Sequence, residues 1–174
     1  MSDLPHGIDL ARHRDFEGKH PGQALRHAFV LLLLVFVVAA LLNAFGARPS
    51  SSEAGAAAAT LKVTAPERVR GGLLYQARIE IHARRAIGAP TLVLDKGWIE
   101  ETTLNTLEPE PAETTSDAGH LKIRYPPLQP GRILTVYVSF QANPDNVGTH
   151  DQGIALYDAD EEIASVDRTQ VNFP

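Results

Sequence analysis

The chain has 174 residues, of which 44% are hydrophobic and 21% charged, with a formal net charge of −5 and no cysteine. This length accommodates one folded domain with appended segments, and the composition is that of a chain able to form a core. The lack of cysteine excludes disulfides, thiolate catalysis, cysteine-based metal sites and a lipoprotein's acylated cysteine. Residues 1–27 carry four basic and four acidic side chains, so the acidic excess lies beyond them. Nucleic acid is therefore not an expected partner, because binding phosphates requires clustered Lys and Arg.

An apolar run near the start of the chain predicts a transmembrane α-helix at residues 27–47. Every residue from Ala28 to Leu42 is apolar, and residues 27–47 contain no Asp, Glu, Lys or Arg. At 1.5 Å per residue, this segment forms a helix about 31 Å long, which matches the hydrocarbon core of a bilayer. A cleavable signal peptide has a shorter apolar region and a short basic start. We therefore expect an uncleaved signal anchor; a cut after Gly46 is the alternative.

The flanking charges predict the orientation of this helix. Residues 1–26 carry four basic side chains, whereas only Arg48 lies close to the other end of the run. Because Lys and Arg are retained on the cytoplasmic face, residues 1–26 are predicted to form a cytoplasmic tail. The C-terminal domain is then periplasmic or extracellular, and the chain is a single-pass protein of the cell (inner) membrane with the lipid bilayer as a partner.

Small and polar residues near the outer end of the apolar run suggest a contact with another helix. Ala40, Asn43 and Ala44 lie on neighbouring turns. Small residues allow a second helix to approach closely, and an asparagine amide gains from a partner in the absence of water. These three residues are predicted interaction residues for an integral membrane protein; the alternative is that Asn43 reaches the lipid headgroups.

The rest of the chain divides into a predicted linker and a β-rich domain. Residues 48–60, RPSSSEAGAAAAT, contain no large apolar side chain and are predicted to form a flexible linker. In residues 61–174 two segments alternate apolar and polar side chains with a period of two, namely LLYQARIEIHARR and RILTVYVSFQ. Weaker candidate strands are residues 61–65, 91–95, 103–107, 120–125, 153–157 and 162–172. The pattern predicts an all-β, antiparallel sandwich of seven or eight strands, with an exposed loop at EPEPAETTSDAG.

The order of LKVTAPERVRGGLLYQARIEI and YPPLQPGRILTVYVSFQAN resembles bacterial extracellular immunoglobulin-like modules of the fibronectin type III and CARDB kind. In those modules a Pro-Gly turn leads into a strand of alternating valines and aromatics. Here Pro130 and Gly131 precede Val136, Val138 and Phe140. The resemblance covers residues 61–174 and implies an immunoglobulin-like sandwich, although the cysteine pair of antibody domains is missing.

No motif in the sequence points to catalysis, a cofactor or a metal site. There is no Gly-rich phosphate loop, nucleophile elbow or paired-histidine helix. The carboxylates of Glu100 and Glu101, or of Glu108 and Glu110, form an acid–base pair only under the alternative of an envelope hydrolase. The acidic stretch from Asp158 to Glu162 fits either a polar turn or a calcium site. His82, His120 and His150 are too scattered to predict a metal site.

Two aromatic residues are candidates for an interaction surface. Trp98 follows Gly97 at a predicted strand end and is expected either in the core or as a ligand platform. Tyr137 lies on the half-polar face of its predicted strand, together with Ile133. If that face is exposed, it is the better contact surface, because exposed apolar patches usually have a partner.

These features predict a non-catalytic, membrane-anchored accessory or scaffold subunit. Its helix packs beside a larger membrane protein and its sandwich docks on the same partner. The alternatives are a module that binds envelope carbohydrate or another exported protein and, less favoured, an envelope hydrolase.

Overall fold

The computed structural model describes residues 21–42 and 48–174, except for the side chain of Pro21. The chain divides into two compact units, Met1–Phe45 and Gly46–Pro174. Within the described residues, the first unit contains one helix and the second contains strands. Asn43, Ala44 and Ala47 lie outside the described residues, so the predicted helix contact at Asn43 and Ala44 stays a prediction.

Helix α1 spans Pro21–Leu41, so it begins six residues before the predicted start at residue 27. Proline suits the first turn of a helix because the backbone N–H that it lacks would have no partner there. Within α1, Gly22–Leu41 is long and apolar enough to cross a membrane. From Gly22 to Leu41 the residues of α1, including Ala40, are exposed except for the partly covered Ala39. This agrees with a helix that packs against lipid or another helix, or with a signal sequence.

The second unit contains thirteen described strands, more than the seven or eight predicted. Their bounds are β1 Pro49–Gly55, β2 Ala59–Pro66, β3 Arg68–Arg70, β4 Leu74–Ala83, β5 Pro90–Leu94, β6 Thr102–Glu108, β7 Glu113–Asp117, β8 His120–Arg124, β9 Ile133–Ala142, β10 Gly148–Asp151, β11 Ile154–Asp158, β12 Glu161–Val166 and β13 Thr169–Phe173.

The strands form two five-stranded sheets and one small sheet. The first sheet has the order β1-β2-β4-β9-β6, the second β12-β11-β5-β8-β7, and the small sheet β10-β13-β3. The pairs in the two large sheets are antiparallel, and β13 pairs with β3 in parallel. The predicted all-β, antiparallel immunoglobulin-like sandwich is therefore confirmed.

The core lies between the inward rows of the two large sheets. Alternation along β4 and β9 buries one row from each strand, as the period-two pattern predicts. These rows join the buried residues of the second sheet in one hydrophobic cluster. Its largest fully buried aliphatic side chains are Leu61, Ile79, Ile81, Ile87, Leu92, Leu94, Ile123, Ile154 and Leu156.

The prediction that residues 48–60 form a flexible linker was wrong for most of that segment. β1 pairs with β2 along its whole length, from Pro49 opposite Pro66 to Gly55 opposite Thr60. Ala54 packs against the core. The segment folds without large apolar side chains because an edge strand is held mainly by backbone pairing with its neighbour.

The predicted loop EPEPAETTSDAG also contains a strand. β7 pairs with β8, and all five of its side chains are exposed. The hairpin turn places Ala118 at φ 50° and Gly119 at φ 82°, the positive values that a tight two-residue turn requires. β7 was missed because a solvent-exposed edge strand needs no apolar alternation. The candidate strand at residues 162–172 is in fact two strands, β12 and β13.

Candidate interaction surface

The outer face of the first sheet carries Tyr137. Val136 and Val138 point into the core, so Tyr137 between them points outward, and it is 38% exposed. Across the sheet its Cα partners are Arg78 on β4 and Glu108 on β6. We call the outward row of β1, β2, β4, β9 and β6 the Tyr137 face. The prediction of a contact surface depended on exposure of this half-apolar strand face. Tyr137 and Ile133 on that face are exposed.

Arg78 holds the centre of the Tyr137 face in place. Its guanidinium carbon lies 6.0 Å from the centre of the Tyr137 ring. Its Nη2 atom donates to Oε1 of Glu80 over 2.7 Å. The exposed tyrosine is thus oriented by a cation–π contact to an arginine that is itself fixed by an ion pair.

Ile133 adds apolar area to the same face. It is 55% exposed at the start of β9 and lies opposite His82 of β4. Isolated surface isoleucines are ordinary, but this one shares a strand face with Tyr137. An aliphatic and an aromatic side chain among charged groups match the composition of a protein-binding surface.

A pocket of about 580 Å³ opens on the Tyr137 face beside Ile133. We call it the basic pocket, because its lining includes the cationic groups of Lys62, Arg84 and Arg132. Its carboxylates are those of Glu53 and Glu80. Sequence reasoning missed it, since its cations come from separate strands and a turn.

Hydrogen bonds fix the walls of the basic pocket. Nη2 of Arg84 donates to Oγ1 of Thr60 over 2.9 Å. The backbone N–H of Gly131, at φ 78°, donates to the carbonyl of Ala83, and the N–H of Ala83 donates to the carbonyl of Arg132. The predicted Pro-Gly turn therefore ties the start of β9 to the end of β4 and sets Arg132 at the pocket.

Trp98 lies in the core, so the alternative of a ligand platform was wrong. The side chain is fully buried, and its Nε1 donates to the carbonyl of Gly153 over 3.1 Å. Its ring centre lies 5.4 Å from that of Phe140. A Cβ atom at Gly97 would collide with the carbonyl oxygen of Asp151, which accounts for the glycine before this tryptophan.

A buried polar side chain, that of Arg168, lies against the ring of Trp98. The guanidinium of Arg168 lies 5.4 Å from the centre of the Trp98 ring, and its Nη2 donates to the carbonyl of Ala65 over 2.9 Å. Burial lowers the pKa of Arg168. Gln152 donates to Gln170 over 3.0 Å in the same region. These side chains are buried, and Arg168 also lines a pocket of about 530 Å³ together with Asp95, Asp151 and Asp167.

The carboxylate pairs named from the sequence lie at the surface. Glu100, Glu101, Glu108 and Glu110 are all exposed. Their exposure is that of solvated surface carboxylates, and the structure adds no feature that assigns them an acid–base role.

Asp158 of the acidic turn and His120 have partners within the sandwich. Oδ1 of Asp158 accepts the backbone N–H of Ala89 over 2.8 Å. His120 lies 3.5 Å from Asp95, whereas His82 is on the Tyr137 face and His150 is in β10. Among residues 21–42 and 48–174, no group of three or more His, Asp or Glu is arranged to hold a metal ion.

No family model matches the chain, and no curated protein matches it. The solution structure of CaCohA2 from Clostridium acetobutylicum is similar, with a TM-score of 0.43 and 14% sequence identity. The similarity covers 60% of this chain and 84% of that one. The resemblance to fibronectin type III and CARDB modules stays a prediction at the level of family.

Proposed function

We propose that the chain is a non-catalytic, membrane-anchored accessory subunit whose sandwich docks on a partner membrane protein through the Tyr137 face. The observation that carries this proposal is the exposure of Tyr137 and Ile133 on one charged sheet face. Interfaces are enriched in tyrosine and arginine, and their centres are aliphatic or aromatic with a polar rim. The Tyr137 face has this composition.

Membrane anchoring rests on α1. The last fourteen residues of the helix, Ala28 to Leu41, are all apolar. No charged side chain lies between His27 and Ala47. Four basic side chains lie in residues 1–26, whereas only Arg48 lies close beyond the apolar run, which favours a cytoplasmic N-terminus and a sandwich on the outer side of the membrane. In this arrangement α1 limits the partners of the sandwich to molecules at the membrane surface.

A site-specific photo-crosslinker tests the proposal in the intact membrane. The crosslinker replaces Tyr137 in the full-length chain and, as the matched control, Thr115, which is exposed on the second sheet. We expect an adduct with an integral membrane protein from position 137 and none from position 115. Equal adducts from both positions, or none from position 137, would contradict docking through this face.

A further inference from the structure

The basic pocket is cationic on a domain that is otherwise acidic. Residues 1–27 are neutral in sum, so the net charge of −5 belongs to the remainder of the chain. Against that background the pocket gathers Lys62, Arg84 and Arg132 on one side of the sheet. The carboxylates of Glu53 and Glu80 line the same pocket, so its cations exceed its carboxylates by one, and this excess favours an anionic ligand.

The cations of the pocket are not used by ion pairs within the sandwich. Among the described residues, Lys62, Arg84 and Arg132 have no carboxylate within 4.0 Å. Lys62 lies opposite Glu53 and Glu80 across the sheet, so Arg84 and Arg132 are the cations with the fewest acidic neighbours in the register. Of the two pocket carboxylates, Glu80 is bound by Arg78. The Arg84 guanidinium is held by a neutral hydroxyl, which positions its charge without neutralising it.

The composition of the pocket favours a peptide over a polyanion. Glu53 and Glu80 lie among the cations, and they would repel a nucleic acid or another polymer with a charge on every unit. Ile133 lines the same pocket and offers an apolar contact. A segment with a few carboxylates next to an aliphatic side chain complements both features.

We infer that the basic pocket binds an acidic peptide segment of the partner protein. Carboxylates of that segment pair with Lys62, Arg84 and Arg132, and an aliphatic side chain of the segment packs on Ile133. This inference rests on the proposed docking function and adds the chemistry of the partner.

A direct binding measurement tests the inference with the full-length chain in nonionic detergent. The probe is a fluorescein-labelled peptide in which glutamates alternate with leucines, and binding is followed by fluorescence anisotropy. We expect saturable binding that weakens by roughly tenfold or more between 50 and 500 mM NaCl, because salt screens the charges of the pocket and the peptide. Arg132→Glu should weaken binding by about tenfold or more, since it reverses one charge of the pocket.

The controls separate the pocket from general charge effects. Arg68→Glu reverses an exposed arginine on β3 of the small sheet and should leave binding unchanged. Lys62→Gln removes a pocket charge without reversing it and should give a smaller loss than Arg132→Glu. Circular dichroism must show the same fold for all variants. Equal binding by the wild type and both pocket variants would overturn the inference.

The same assay distinguishes the acidic peptide from other occupants of the basic pocket. Competition by inorganic phosphate alone, binding to phosphatidylglycerol vesicles that exceeds peptide binding, or self-association of the chain would each replace the acidic peptide as the occupant. Failure here leaves the proposed function standing if position 137 still crosslinks to a membrane protein. If that crosslink is lost while peptide binding is retained, docking through the Tyr137 face is contradicted and peptide binding by the basic pocket is supported.

Discussion

Trp98 joins the two halves of the core through its ring and its N–H group. Its ring packs at a tilt against that of Phe140 in the first sheet, and its Nε1 donates to the carbonyl of Gly153, next to β11 of the second sheet. We expect Trp98→Ala to lower the free energy of unfolding by about 3–5 kcal/mol, because it leaves a large cavity. Lys96→Ala, in the same short turn but exposed, should change it by less than about 0.5 kcal/mol. Thermal unfolding followed by circular dichroism measures both; a similar loss in the two variants would contradict the central position of Trp98.

Tyr125 links stability to alkaline pH. It is 2% exposed, and burial raises the pKa of Tyr125 to about 12 from a usual value of 10.0. Above pH 10 the unfolded chain loses this proton while the folded chain keeps it, so stability is intact below pH 10 and declines as the pH rises towards 12. Burial raises the pKa of Tyr75 as well, which adds to the same decline.

Tyr125→Phe should therefore reduce the alkaline loss of stability. The Tyr125 hydroxyl has no hydrogen-bond partner among the described residues, so its removal should be neutral or stabilising by up to about 1 kcal/mol at pH 7. Urea unfolding at pH 7, 9 and 11, followed by the fluorescence of Trp98, measures the difference. If wild type and variant lose the same stability between pH 9 and 11, Tyr125 does not contribute to the decline.

At the scale of elements, β1 shows that a composition typical of a linker does not exclude a strand. Ser, Ala and Gly predicted a linker, but the segment pairs fully with β2 and its inward Ala54 packs against the core. Ala54→Asp should cost about 1–3 kcal/mol, because it places a charge towards the interior of the sandwich. Ser51→Asp, on the exposed side of the same strand, should cost less than about 0.5 kcal/mol. If neither substitution changes the free energy of unfolding in urea, residues 48–60 would again be interpreted as a flexible linker.

The two strands that the sequence predicted most clearly, β4 and β9, each have one buried row. β4 and β9 lie in the middle of the first sheet, where the core selects apolar side chains at every second position. β1 and β7 lie at sheet edges. An edge strand is specified by its neighbour's backbone and by turn geometry, and neither leaves a period-two pattern in its own residues.

At the scale of the whole molecule, the interaction surfaces were harder to predict from the sequence than the two layers of the sandwich. The Tyr137 face was predictable because Ile133 and Tyr137 alternate along one strand, so a single segment contains the signal. The basic pocket was not, because Lys62, Arg84 and Arg132 are brought together by the pairing of β2, β4 and β9. A charge cluster assembled across strands has no local spacing in the sequence.

The role of α1 as a membrane span decides whether the sandwich meets its partner at the membrane. Replacing both Leu33 and Val37 by arginine puts two charges on neighbouring turns in the middle of the helix. On insertion scales this costs about 5–7 kcal/mol, so the variant should leave the carbonate-washed membrane fraction in which the wild type remains. Ala24→Arg places the charge near the start of α1, two residues from Arg26, and should stay with the membranes. Release of the wild type by carbonate, or a mature N-terminus beyond residue 46, would identify α1 as a signal sequence and leave the sandwich free to diffuse.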